Sequence, residues 1–153
     1  MIKDTLFVRY FGLTKVPLIF FVSPSVLKLD DQECRIKIPL NRRTRNHLKS
    51  MYFGVLATGA DLAGGLVAMK EIYASKKKIA LSFKDFHAEF LKRAEGDTHF
   101  VCTQIPEIKN FVKEVIASGE RMNFPVHIEA VCPDIGPEPV AKFVLTLSLK
   151  MKD

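Results

Sequence analysis

The sequence predicts an α+β domain, with one antiparallel sheet of about five strands wrapped round a long helix. Two observations carry this. Tyr52 to Tyr73 is a helix-length run that is apolar on all sides rather than along one stripe, which implies burial nearly all the way round. The other segments alternate apolar and polar residues, or are rich in β-branched and aromatic types, and turn-forming clusters separate them. These read as strands. A curved sheet closing over the helix satisfies both.

Residues 3–13 predict an amphipathic helix lying on the domain, with Leu6, Tyr10 and Leu13 on one side. The rival, a helix lying in a membrane interface, is disfavoured by a polar face that is not strongly basic. Residues 26–41 set Ile36, Ile38 and Leu40 against Arg35, Lys37 and Pro39, and predict one strand. Asn41 to Lys49 is polar and basic, a loop. The long helix would then run for ~33 Å. Lys76, Lys77 and Lys78 end it, where positive charge suits the helix dipole. Ile79 to Ala94 predicts a strand whose apolar set shifts from Leu81 and Phe83 to Phe86, Ala88 and Phe90, the mark of a bulge. The turn Glu95-Gly96-Asp97 joins it to a strand over Thr98 to Ile105 as an antiparallel hairpin. Pro106 to Ser118 predicts a short helix, with Pro at its first position and Gly119 past its end. Phe124 to Cys132 and Val140 to Lys152 predict two more strands, joined by the turn Pro133 to Pro139.

The length of 153 residues suits one domain, 1–153, with a core of its own. An apolar share of 48% beside 26% charged residues excludes a disordered tail and a disulfide scaffold. The excess of 23 basic over 17 acidic residues, +6, favours anionic partners without naming one. Cys34, Cys102 and Cys132 are odd in number and far apart. That argues against a metal motif and for reduced thiols in a cytoplasmic compartment. No uninterrupted signal-type segment is evident, because Pro17 breaks the first apolar run. Met51 to Met69 approaches bilayer length. Asp61 at its centre would cost ~2.5–3.5 kcal/mol there, so no membrane span is expected.

Projected at 3.6 residues per turn, one face of the long helix collects Gly54, Ala57, Asp61, Gly64, Gly65 and Ala68. Glycine inside a helix costs ~1 kcal/mol against alanine. Three on one face imply close approach by another backbone or by a ligand. An unpaired buried carboxylate is expensive and tends to protonate. Asp61 therefore ties the helix to a loop amide, or it serves as a catalytic acid or base.

The helix–sheet order and the stretch Asn46 to Gly65 resemble the hotdog fold. In that fold a sheet wraps a central helix and two subunits join into one continuous sheet. The chain is most similar to the phenylacetate-pathway type of acyl-CoA thioesterase and to a neighbouring thioesterase-like branch known as a domain of unknown function. Phe90 to Asp97 also resembles the strand–turn–strand that follows the helix in that fold. Active members carry an Asn, six residues later His-Gly-Gly, and an acid nine residues after that His. Here Asn46 holds the Asn position, Tyr52-Phe53-Gly54 stands in place of His-Gly-Gly, and Asp61 is the acid.

The resemblance implies hydrolysis of an acyl-CoA or related acyl thioester. It implies no cofactor beyond coenzyme A as part of the substrate, and a homodimer or tetramer. Asp61 would be general base or nucleophile, and Asn46 would orient water or the thioester across the subunit interface. A backbone amide at the helix start, at Phe53 or Gly54, would be the oxyanion donor. Tyr52 either donates a hydrogen bond in place of the His or only fills space. Loss of the His-Gly pair leaves open a non-catalytic acyl-binding protein on the same fold.

Arg42, Arg43, Arg45 and His47 beside Asn46 either meet the phosphates of coenzyme A or remain solvated. The same two readings apply to Lys76 to Lys78. His87 and His99 have no partner at ligand spacing, so no metal site is expected. There is no Gly-x-Ser-x-Gly elbow and no phosphate-binding glycine loop. Nucleic-acid binding would use the basic excess, but it lacks an interleaved aromatic and basic strand.

Overall fold

The computed structural model describes all 153 residues. Two N-terminal helices, α1 (Ile2–Lys15) and α2 (Pro17–Phe21), precede strands β1 (Ser25–Leu29) and β2 (Cys34–Ile38). The long helix α3 (Phe53–Ser75) leads to β3 (Ile79–Phe90) and β4 (Thr98–Cys102). Helix α4 (Ile105–Ser118) precedes β5 (Met122–Val131) and β6 (Pro139–Met151). The strands form one six-stranded antiparallel sheet in the order β1-β2-β4-β5-β6-β3.

The sheet has six strands rather than five because residues 26–41 are two strands. Asp30 Oδ1 accepts the amides of Gln32 and Glu33 at 2.8 and 2.9 Å, which folds the chain back on itself. The side chain makes the turn, and this breaks the alternation. The hairpin expected between β3 and β4 does not form. β3 pairs with β6, and β4 lies between β2 and β5. Residues 91–97, Asp97 included, carry the chain from one part of the sheet to another. A twelve-residue β3 finds far more ladder with the thirteen residues of β6 than with the five of β4. Local turn chemistry yielded to the longer pairing. The predicted bulge in β3 is present between Phe83 and Asp85.

The core packs α3 into the concave sheet, where Phe100, Phe143, Leu145 and Leu147 are almost wholly buried. α3 is long and apolar enough to cross a membrane, yet most of it is enclosed by this protein. It ends at Lys76 in the left-handed conformation (φ 58°). The tightest approach to α3 falls on the side opposite the small face, and on the small face only Gly54 meets a close neighbour, the Tyr52 ring. A Cβ on Gly59 would lie 2.3 Å from the buried Phe100 ring, whereas one on Gly64 or Gly65 would make ordinary contacts at 3.6 Å.

α1 lies on the domain but with the opposite face inward. Val8 and Gly12 are buried, while Leu6, Tyr10 and Leu13 face solvent. Two specific bonds set this rotation. Thr5 Oγ accepts the Val26 amide at 2.9 Å, and Arg9 Nε donates to the Pro24 carbonyl at 2.9 Å.

Candidate active site

Asp61 sits on the third turn of α3. It lies on the wall of a cavity of about 350 Å³ between α3, β3 and the two N-terminal helices. The remaining wall is mostly apolar, with Phe7 and Phe11 of α1, Ile19 of α2, Leu62 and Leu66 of α3 and Phe83 of β3. Along α3 the lining runs from Asp61 to Met69. Eight residues at the helical rise make ~12 Å, roughly nine methylenes of a staggered hydrocarbon chain.

The carboxyl group has no hydrogen-bond or charge partner in the chain, and burial alone lifts its pKa from 3.8 to about 6. The alternative in which Asp61 anchors a loop amide is therefore not what this chain builds. The acid therefore changes protonation closer to neutrality than an ordinary carboxyl does.

Asn46 is placed differently. Its Oδ1 accepts the amide of Leu48 at 2.9 Å, and the amide and hydroxyl of Ser50 at 3.2 Å each. Three donors fix which end is oxygen, so Nδ2 points elsewhere and has no acceptor in the chain. Asn46 does not line the cavity. Its loop is tied to the helix start by the Tyr52 amide, which donates to the Thr44 carbonyl at 2.9 Å.

Tyr52 and Phe53 are exposed, their ring centroids 4.7 Å apart. The Tyr52 ring covers Gly54, where an added Cβ would meet it at 2.6 Å. The amides of Phe53 and Gly54 have no acceptor in the chain, as expected of a first helical turn. From Phe53 to Asp61 is also ~12 Å along the axis. A single carbonyl carbon cannot meet both within one chain. Arg42, Arg43, Arg45 and His47 are exposed on the loop beside Asn46. Arg43 stacks over Phe21 at 5.4 Å and donates to Ser23 Oγ at 3.1 Å. The structure thus brings Asp61 to the cavity. It gathers Asn46, Tyr52, Phe53, Gly54, His47 and the arginines at the N-terminal end of the same helix.

The contribution of α1 and α2 to the cavity wall had no clear signal in the sequence. Phe7, Phe11 and Ile19 could have been found only from the outer stripe being apolar as well.

No three acidic, histidine or cysteine side chains converge as a metal site would need. Cys34 and Cys102 face each other across β2 and β4 as free thiols. Burial pushes Cys34 up to about 12 and raises Cys102 as well, so both stay protonated.

The sheet wrapped on a central helix, together with the solved structures it superposes on, defines the hotdog fold. A candidate thioesterase from Shewanella oneidensis superposes with a TM-score of 0.79 at 14% identity, over 99% of this chain and 100% of the other. A protein of unknown function from Chlorobaculum tepidum gives 0.82 at 13%, over 97% and 94%. A thioesterase from Haemophilus influenzae gives 0.66 at 12%, over 92% and 87%. The chain belongs to the family described as Domain of unknown function (DUF4442), whose model matches residues 4–146. No curated protein matches it in sequence.

Proposed function

We propose that this protein hydrolyses an acyl thioester, with the acyl chain in the cavity beneath α1 and α2 and Asp61 as the general base. The observation that carries this reading is the unpaired Asp61 carboxyl on the wall of an apolar cavity. In the proposed step Asp61 takes a proton from water as the water oxygen bonds to the thioester carbon. The oxyanion collapses, the C–S bond breaks, and the thiolate leaves and takes up a proton. The free amides of Phe53 and Gly54 suit the oxyanion. The free Nδ2 of Asn46 suits the carbonyl or the water.

Because the amides and Asp61 stand ~12 Å apart on one helix, the complete site is proposed to form between two copies. β3 supports this. It is a twelve-residue edge strand whose outer ladder is unpaired, and such an edge invites a second chain. Arg42, Arg43, Arg45 and His47 would meet the phosphates of coenzyme A. Assembly beyond the dimer to a tetramer and a cytoplasmic setting belong to the same proposal.

A second reading follows from Tyr52. Its ring lies over Gly54 where the resembled enzymes carry a His-Gly pair, which suits a protein that binds acyl thioesters without turnover. Thiol release from a panel of acyl-CoAs separates the two. Release that Asp61→Asn abolishes supports the enzyme. Saturable binding without release selects the carrier. Equal release by both proteins removes Asp61 from the chemistry.

A further inference from the structure

α1 is apolar on two sides. The inner side, with Phe7, Val8 and Phe11, closes the cavity. The outer side carries Ile2, Leu6, Tyr10 and Leu13, spaced as one helical stripe and between 57% and 79% exposed. A helix resting on a domain ordinarily turns a polar face to water. α2 packs tightly against α1, since a Cβ on Gly12 would lie 2.6 Å from the Phe20 nitrogen. It adds the exposed rings of Phe20 and Phe21.

The exposed charges on these two helices have one sign. Lys3 and Lys15 are exposed on α1. The only carboxylate on either helix is Asp4, mostly buried and paired with Lys70 and the N-terminal ammonium. That pairing holds its pKa below the usual carboxylate range. Arg43 lies over Phe21, so the basic loop borders α2.

We propose that the α1–α2 face docks on an anionic phospholipid surface. The apolar stripe enters the headgroup boundary while the lysines and arginines meet lipid phosphates. A second copy suits this face poorly, because pairing would bring like cations together. Docking would also set the cavity wall, built by the same two helices, against the acyl layer. The proposal is independent of the thioester reading, since a lipid carrier would use the same surface.

The test is sedimentation of the full chain with phosphatidylcholine vesicles holding roughly a third phosphatidylserine, against phosphatidylcholine alone. Binding to the anionic vesicles is expected to be tighter by about tenfold or more and to weaken with salt. The double variant Leu6→Asp with Tyr10→Asp is expected to lose about tenfold or more, with an unchanged melting transition because both side chains are exposed. Lys3→Glu with Lys15→Glu, which leaves the apolar stripe intact, is expected to lose the preference for anionic lipid. Absence of wild-type binding, or binding by both double variants as tight as the wild type's to the anionic vesicles, overturns the proposal. So does a lipid-free dimer that the Leu6 and Tyr10 substitutions split, which would assign the stripe to a second copy.

Discussion

Asn46 and Asp61 each carry a side-chain carbonyl or carboxyl oxygen, but the fold treats them in opposite ways. The Asn46 oxygen is saturated by three donors from its own loop. The Asp61 oxygens have no partner at all and face an apolar cavity. The first oxygen is spent on structure and leaves only an amide donor for chemistry. The second is held at an energetic cost that packing elsewhere must offset. Groups kept unpaired at such cost are candidates for function rather than for stability.

The largest expected effect is on turnover. Asp61→Asn should lower kcat for acyl-CoA hydrolysis by about 10²–10⁴-fold, the range for losing a general base, as read from thiol release. An unchanged rate would place the base elsewhere.

The same variant should be more stable than the parent at neutral pH. The folded carboxyl titrates near 6 against 3.8 for the unfolded chain. Between those values the folded state keeps a proton that the unfolded state releases. Parent stability therefore falls as pH rises through that window and then levels off. Asp61→Asn escapes this fall. Its gain should be near zero at pH ~4 and reach up to ~3 kcal/mol above pH ~7, by denaturant titration. A constant gain at every pH would contradict an unpaired acid. On the same basis kcat/KM should rise with pH and level off above about 6.

Asn46→Ala removes the acceptor that orders residues 46–50 and should cost ~1–2 kcal/mol in thermal or chemical denaturation. Asn46→Asp keeps three acceptor bonds and loses only the Nδ2 donor. Its stability should stay within ~1 kcal/mol while kcat falls by about tenfold or more. A stable and fully active Asn46→Asp would confine Asn46 to holding its loop.

The sequence carried much of the fold, and the reasons are local. An all-apolar α3, the phase change in β3 and Pro106 at the start of α4 are written in neighbouring residues, and each is found in place. The partners of β3 and β4 were not legible. A turn signal at residues 95–97 says that the chain bends, not which strand receives it. In the candidate site, the spacing of Asn46, Tyr52 and Asp61 was visible, but not that the Asn46 oxygen is already occupied.

By itself the sequence determined most of the helices and strands, though not α2 or the break between β1 and β2, and it determined that one helix is buried and that an acid lies along it. These follow from periodicity and side-chain chemistry within a few residues. Only the tertiary structure decided that Asp61 faces a cavity, that α1 turns Leu6, Tyr10 and Leu13 outward, and that β3 ends the sheet. Those outcomes depend on contacts between residues distant in the chain. The same local pattern fits more than one such arrangement, and packing selects among them.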